Sequence, residues 1–233
     1  MYVPRHFSLP QDYATALLSQ VRVGNLVTAH EDGPAATLVP FYLDEDRGAL
    51  ITHLVRNNPQ AKQPALGRAL VILDEADAYV SPHWYATNAV KANVPTWDYI
   101  TLHVRGPMRI SQDPRAALEA ARELTLRMES AATLDAVGQD NLEAMARAIV
   151  AVEVEVEHIE GKAKMSQNRH PDDIRSLMEA LEEQGQTTMV DFLRDVSLPY
   201  AEQRFATIER LEGARAAVSG ITSITGRPSG RTP

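Results

Sequence analysis

The 233-residue sequence contains no cysteine, and this absence excludes a disulfide framework, a thiolate nucleophile and a zinc-ribbon site. A chain without disulfides fits a reducing compartment, so we expect a cytoplasmic protein. Residues 1–25 hold no long apolar run, and we therefore expect neither a signal peptide nor a membrane span.

Several common catalytic signatures are also missing. The sequence has no Walker loop, no G-x-S-x-G elbow, no G-x-G-x-x-G turn and no HExxH pair of histidines. Interpretations as a nucleotide triphosphatase, a hydrolase with that elbow or a dedicated zinc enzyme therefore have no support. Basic residues are too few for a large nucleic-acid footprint, because the formal net charge is −8 and phosphate contacts by Lys and Arg supply most of that affinity.

The composition is that of an ordinary globular protein, with 44% hydrophobic and 23% charged residues. Two β-hairpins are predicted early in the chain. Asn25–His30 and Ala36–Leu43 are β-rich runs separated by the turn residues 31–34, and Asp44–Gly48 forms a second turn before a strand at Ala49–Val55. Ahead of them, apolar residues at helical spacing predict a helix that stops at Gly24.

Further strands and helices follow from periodicity. Val152, Val154 and Val156 alternate with glutamates, which predicts a half-buried strand whose glutamates face solvent and carry no catalysis. The other predicted strands lie at 69–73, 78–80 and 99–110, with a bulge or edge at Gly106 and Pro107. The predicted helices lie at 114–130, 142–149, 171–185, 190–196 and 200–217.

Four polar and aromatic clusters interrupt this pattern. The first is residues 53–59, at the end of a strand, where Arg56 offers a planar fork of donors suited to a phosphate and Asn57 adds an amide. The alternative is a strand end stopped by Asn and Pro, with Arg56 solvated. Residues 81–85 and 94–99 contain both tryptophans, Trp84 and Trp97, which can stack on a flat ring or pack against a partner subunit.

The fourth cluster is residues 161–169, which carry Lys162, Lys164 and Arg169 among neutral hydrogen-bonding side chains. In an acidic chain this is the best candidate for an anion or DNA contact patch. The alternative is a solvated loop.

These clusters, together with MYVP at residues 1–4 and LVPFYLD at residues 38–44, resemble the PaiB-like family in order and spacing. The segments SPHWY, VPTWDY and GKAKMSQNR are long matches to its signatures. The resemblance covers residues 1 to about 180. It implies an α+β fold: an FMN-binding split β-barrel related to pyridoxamine-phosphate oxidases, with flanking helices and a C-terminal helical extension.

The resemblance also implies a site and partners. We expect a homodimer that binds FMN or a similar flat anionic ligand, with no membrane contact and with DNA or another protein as a further partner. The implied cofactor-binding residues are His53, Arg56, Asn57, Trp84, Trp97, Tyr99, Lys164, Ser166 and Gln167. Asp98 stands where the family has asparagine, and a carboxylate there would repel an anionic ligand.

Three regions and two main functions are therefore expected. Residues 1–170 form the flavin-binding barrel, residues 171–218 form a helical extension packed on it, and residues 219–233 form a disordered tail. The function implied by the resemblance is negative transcriptional regulation. The alternative is an FMN-dependent oxidoreductase of the flavin reductase or oxidase type, and haem binding ranks last because it needs an axial ligand.

Overall fold

The computed structural model describes the backbone of residues 1–224 and the side chains of residues 1–212. The strands are β1 Arg22–His30, β2 Gly33–Asp44, β3 Ala49–Val55, β4 Ala69–Val80, β5 Thr96–Gly106, β6 Met108–Ser111, β7 Ile149–Glu155 and β8 His158–Lys164. The helices are α1 Gln11–Leu18, α2 Pro59–Lys62, α3 Pro114–Leu126, α4 Ala131–Val137, α5 Gln139–Ala146, α6 Pro171–Glu183, α7 Thr187–Phe192 and α8 Leu198–Ile224.

All eight strands belong to one sheet, in the order β6-β7-β3-β2-β1-β4-β5-β8. β1 and β2 pair along their whole length, from Arg22 opposite Phe41 to His30 opposite Gly33, so the first predicted hairpin is confirmed. The second is confirmed as well, since β2 pairs with β3 across the turn at residues 45–48. The fold class is α+β, as predicted.

The chain folds into two compact units. Unit 1 comprises Met1–Asp77 and Tyr99–Ala163, and unit 2 comprises Ala78–Asp98 with the chain from Lys164 onward. The core of unit 1 includes Leu26, Leu50 and Leu102, each at most 1% exposed.

α3 covers one face of the sheet in unit 1. Tyr42, Ile51 and Ala120 form a buried cluster where this helix packs on β2, β3 and β7. Asp113 caps the helix by accepting a hydrogen bond from the backbone N–H of Arg115, and Pro114 occupies the first turn, where its missing N–H costs nothing.

Unit 2 is built on α6, whose apolar side chains recur at helical spacing as predicted. Ile174, Leu177 and Leu181 are fully buried, together with Met189 of α7. α6 also packs against two short 3₁₀ turns, Pro82–Trp84 and Ala86–Ala89. This packing positions the first tryptophan cluster.

Two elements differ from expectation in unit 1. The first long helix ends at Leu18, and Gly24 lies inside β1, where a Cβ atom would collide with Leu73 Cδ2 and lie 2.7 Å from the Ile72 carbonyl oxygen. Gly24 therefore permits close strand packing and does not stop a helix. The first half of the 161–169 cluster belongs to β8 rather than to a loop.

The C-terminal segment also differs from expectation. α8 runs to Ile224 and so includes residues 219–224 of the segment predicted as a tail. The rest of that prediction, residues 225–233, lies outside the described residues. Among the helices that are described, none is both long and apolar enough to cross a bilayer.

Candidate functional site

The end of β3 in unit 1 carries the first group of predicted site residues. His53 is half-buried, and its Nδ1 is buried without a hydrogen-bond partner among the described residues. Burial lowers the pKa of His53 below its usual 6.5, so the ring is neutral at pH 7. A neutral ring with an unused nitrogen can accept or donate one hydrogen bond.

Arg56 follows β3, but its guanidinium is directed into the protein. Nε donates to the Arg147 carbonyl at 2.9 Å, and one terminal nitrogen donates to the Ile149 carbonyl at 3.0 Å and to the Gln112 carbonyl at 3.3 Å. The other donates to Gln112 Oε1 at 2.6 Å. Four of the five N–H donors are therefore used, and one remains for a ligand.

The two asparagines that follow Arg56 differ, because Asn57 is exposed to solvent and Asn58 is hydrogen-bonded within the protein. Asn57 is exposed and leaves its amide available. Asn58 caps α2 by accepting from the Gln60 N–H at 2.9 Å, and its amide donates to Thr37 at 3.0 Å. Of the two asparagines, only Asn57 therefore has a side-chain amide that is available to bind a phosphate.

Tyr99 and Lys162 meet on adjacent strands of unit 1. The Lys162 ammonium lies 5.3 Å from the centroid of the Tyr99 ring, which is a cation–π distance. This contact uses one cation of the patch predicted over residues 161–169.

In unit 2 the start of β5 meets the end of β8 around Asp98. This carboxylate is 1% exposed and accepts from Ser166 Oγ at 2.6 Å and from the Lys164 ammonium at 3.3 Å. Lys164 also donates to Thr96 Oγ1 at 2.6 Å and to the Trp97 carbonyl. The three N–H donors of Lys164 therefore match three acceptors within the protein.

This network corrects the expectation for Asp98. The residue does not face a ligand with an unpaired charge, because Lys164 and Ser166 are bound to its two oxygens. Burial raises the pKa of Asp98 above its usual 3.8, and the hydrogen bond from Ser166 and the charge of Lys164 oppose that rise. The sequence signal for this position was its alternation with Ile100 on the buried face of β5.

The turn after β8 is held by its own side chains. Ser166 has φ +58°, in the left-handed region that is unusual for a residue with a side chain. Gln167 is buried, and its Oε1 accepts from the Met165 N–H at 2.9 Å. Lys164, Ser166 and Gln167 thus act together, but they shape the turn through contacts inside the protein.

Arg169, the last cation of the predicted patch, is also engaged. Its guanidinium carbon lies 4.4 Å from the Tyr85 ring centroid, and it donates to Asn93 Oδ1 at 2.7 Å. Asp173 of α6 holds the same region by accepting from the Thr87 N–H at 2.7 Å and hydroxyl at 2.9 Å. Each cation of the patch therefore has a partner within the protein, and its role as an anion or DNA contact stays a prediction.

The two tryptophans differ in exposure. Trp84 is half-buried in its 3₁₀ turn, whereas Trp97 is 53% exposed and meets Tyr79 edge to face at 6.2 Å between ring centroids. Trp97 therefore presents the larger aromatic surface in unit 2.

The residues present fit a flavin nucleotide in two respects. His53 Nδ1 is an unsatisfied buried polar atom, four positions before the exposed Asn57 amide, and such groups pair with polar ligand atoms. Trp97 offers an exposed aromatic surface of the kind that contacts flat rings.

The sequence of this chain is similar to those of known proteins. Residues 1–158 match the family described as "Putative FMN-binding domain". The chain is 28% identical over 193 residues to "Protease synthase and sporulation protein PAI 2" of Bacillus subtilis, covering 78% of this chain and 89% of the relative.

Solved structures share the fold at low sequence identity. The flavocytochrome Anf3 of Azotobacter vinelandii aligns with a TM-score of 0.55 at 12% identity, covering 70% of this chain and 72% of that chain. Protein Rv2991 of Mycobacterium tuberculosis aligns with a TM-score of 0.52 at 13% identity, covering 72% and 93%. The predicted split barrel is thereby confirmed, and with residues 1–158 matched, this chain belongs to the family described as "Putative FMN-binding domain".

Proposed function

We propose that this protein is a cytoplasmic, FMN-binding negative regulator of transcription. The observation that carries the proposal is the similarity to PAI 2, which extends over 89% of that relative and whose name describes it as a "Protease synthase and sporulation protein". The family match to an FMN-binding domain supplies the ligand. When bound, FMN supplies redox chemistry, and the protein residues bind and orient it.

In unit 1, the phosphate-binding group comprises the Asn57 amide, the one unused N–H of Arg56 and the neutral His53 ring. Each offers a hydrogen-bond donor without breaking a contact described above. Tyr99 lies in the same unit as an aromatic neighbour, held by Lys162.

In unit 2, the ring-contacting group is Trp97, with Trp84 as a second indole. Trp97 is supported indirectly by three side chains. Lys164 donates to the Trp97 carbonyl, and Ser166 and Gln167 fix the turn after β8. Their role is to hold the backbone rather than to touch the ligand.

We also propose a homodimer formed through the outer face of the β1–β2 hairpin. Side chains alternate along a strand, so residues paired across the hairpin share a face. Val23 and Leu38 on this face are 56% and 65% exposed. The face is almost entirely apolar: Val23, Val27, Ala29, Pro34, Ala36, Leu38 and Pro40, interrupted only by Asn25. Contiguous exposed apolar surface of this kind is typical of an interface.

The dimer is tested by Leu38→Glu, which places a charge in that face. We expect a parent dimer and a monomeric variant in sedimentation equilibrium at micromolar concentration. Val55→Glu is the matched control, because Val55 is 60% exposed in the same unit but lies outside the hairpin. A monomeric parent, or equal dissociation of both variants, would remove the interface.

Ligand binding is tested by titrating FMN and riboflavin, which differ by the phosphate. Asn57→Ala should weaken FMN about tenfold and leave riboflavin unchanged, since a hydrogen bond to a charged group is worth about 1.5–3 kcal/mol. Trp97→Ala should weaken both ligands, with Tyr200→Ala as the exposed aromatic control. Failure of FMN to bind the parent in these titrations would refute the proposal.

The regulatory role is tested in cells that lack the protein. Transcripts that rise on deletion should return to normal with the parent gene but not with the Trp97→Ala variant. Unchanged transcripts, together with steady oxidation of NADH or NADPH by the FMN-loaded protein, would favour the oxidoreductase alternative instead.

A further inference from the structure

One buried amide, that of Gln60 in α2, is hydrogen-bonded to both strands of the β1–β2 hairpin. Gln60 is 1% exposed. Its Nε2 donates to the Leu26 carbonyl at 3.0 Å and to Thr28 Oγ1 at 2.7 Å, and it lies 3.3 Å from the Ala35 carbonyl. Its Oε1 accepts from the Thr37 hydroxyl. Because two carbonyl oxygens lie beside Nε2, the amide has a single orientation, and Thr37 must be the donor to Oε1.

Thr37 connects this amide to the turn that follows β3. Its hydroxyl oxygen accepts from the Asn58 side-chain amide at 3.0 Å, while its proton goes to Gln60. Asn58 Oδ1 in turn accepts from the Gln60 backbone N–H at 2.9 Å. Three side chains therefore close a ring of hydrogen bonds, and none of the three is exposed. Bonds in such a partly buried ring are stronger than the same bonds in water.

Arg56, on the other side of Asn57, is fixed to a different part of the sheet. Its backbone N–H donates to the Ala148 carbonyl at 2.8 Å, and its guanidinium donates to the chain at residues 112 and 147–149. Asn57 is thus an exposed residue between two fixed neighbours. A group that is held in place before binding loses less conformational entropy when it binds.

We propose that Thr37 and Gln60 are positioning residues that hold Asn57 for the phosphate of FMN, and that they set the preference for FMN over riboflavin. This inference rests on the proposed function, because it takes Asn57 as a phosphate contact. Gln60 is too deeply buried to touch the ligand, so its effect passes through Asn58, which follows Asn57 directly. The position matters because a hydrogen bond weakens steeply as its distance and angle depart from the optimum.

A second branch from Gln60 does not reach this turn and provides the control. Thr28 accepts from Gln60 Nε2 and is hydrogen-bonded to His30 Nε2 at 2.7 Å. His30 Nδ1 donates to the Pro64 carbonyl at 3.0 Å. Thr28 is 1% exposed and His30 is 6% exposed, so this branch is buried as deeply as Gln60 itself. Cutting it disturbs the same amide without releasing Asn58.

The test compares Thr37→Val with Thr28→Val in titrations of FMN and riboflavin. Each substitution removes one hydroxyl, keeps the branched shape and breaks one bond to Gln60, but only Thr37 also binds Asn58. Thr37→Val should weaken FMN about fivefold and leave riboflavin within about twofold of the parent, since Asn57 is displaced rather than removed. Thr28→Val should change the two affinities by the same factor.

Two further variants show whether the effect of Thr37 passes through Asn57. Thr37→Ser keeps the hydroxyl, so it should restore the affinity for FMN to within about twofold of the parent. In the Asn57→Ala background, Thr37→Val should weaken FMN no further, because residues that act through one contact are not additive. If Thr37→Val is unfolded by circular dichroism, Asn58→Ser replaces it. Serine keeps an oxygen to cap α2 but lacks the amide that binds Thr37, so the same selective loss is expected.

Three results would overturn the positioning role while the parent still binds FMN. They are equal weakening of FMN and riboflavin by Thr37→Val, an equally selective loss of FMN in Thr28→Val, and full additivity of Thr37→Val with Asn57→Ala. Failure of the parent to bind FMN is a different result, because it refutes the proposed function and this inference together.

Discussion

The buried pair of Asp98 and Lys164 gives the sharpest test of how unit 2 is held together. Lys164→Met keeps most of the side-chain volume but removes the countercharge and three hydrogen-bond donors. Asp98 is then left, at 1% exposure, with Ser166 as its remaining hydrogen-bond donor. Breaking a buried pair from one side costs about 3–5 kcal/mol, and the 27% exposure of Lys164 reduces this to about 2–4 kcal/mol.

A second substitution separates the charge from the lost contacts. Asp98→Asn in the Lys164→Met background removes the uncompensated charge and keeps an acceptor for Ser166. The double variant should therefore regain about 1–2 kcal/mol over Lys164→Met. Urea unfolding at pH 7, followed by circular dichroism, measures both differences.

The pH dependence supplies an independent check. Because burial raises the pKa of folded Asp98 above 3.8, the folded state binds this proton more tightly than the unfolded state. Its contribution to stability is present below pH 3.8 and is lost as pH rises through the folded pKa. Lys164→Met should extend that loss to higher pH. The reasoning is wrong if Lys164→Met lies within 0.5 kcal/mol of the parent (about the error of such measurements) or if the double variant recovers nothing.

Three further predictions concern contacts elsewhere in the chain. Arg56→Lys should lower the free energy of unfolding by about 1–3 kcal/mol, measured in urea, because one ammonium cannot reach all four acceptors of the Arg56 guanidinium. A variant as stable as the parent would show that these four hydrogen bonds do not stabilise the fold. Hydrogen bonds from Arg105 and the Met1 ammonium lower the pKa of Glu160 to about 2, so its stabilisation is present above pH 4.5 and is lost as pH falls towards 2. Glu160→Gln should flatten the acid-unfolding curve over that interval, and an unchanged curve would count against the contact. Asp173→Ala should cost about 2–3 kcal/mol and speed amide exchange at residues 82–89, whereas exchange at the parent rate would show that Thr87 is held by other means.

Local patterns predicted several elements well, for physical reasons that act over short distances. The Val–Glu alternation identified β7, where Val152 and Val154 are fully buried and the glutamates beside them are not. Helical spacing identified α6, and turn residues identified both hairpins. Each of these signals depends on neighbours within a few residues.

Other elements were missed because their signal is not local. β8 reads HIEGKAK, which is too polar for a strand by composition, yet it lies beside β5 in the sheet and Ser8 and Leu9 pair with it from the far end of the chain. A glycine after a helical pattern is a common helix stop signal, which is why Gly24 was predicted to end a helix. Only the close approach of Leu73 and Ile72 shows that Gly24 instead permits close packing of strands.

The predictions for the candidate site also divide into those that local sequence supports and those that it cannot decide. The sequence by itself determined the α+β class, the family and the clusters of polar and aromatic residues, because these follow from periodicity and from contiguous motifs. Only the tertiary structure decided which polar groups are free. Residues far apart in the chain supply the acceptors for Arg56, Lys164 and Arg169, and hydrogen bonding is satisfied in three dimensions rather than along the sequence.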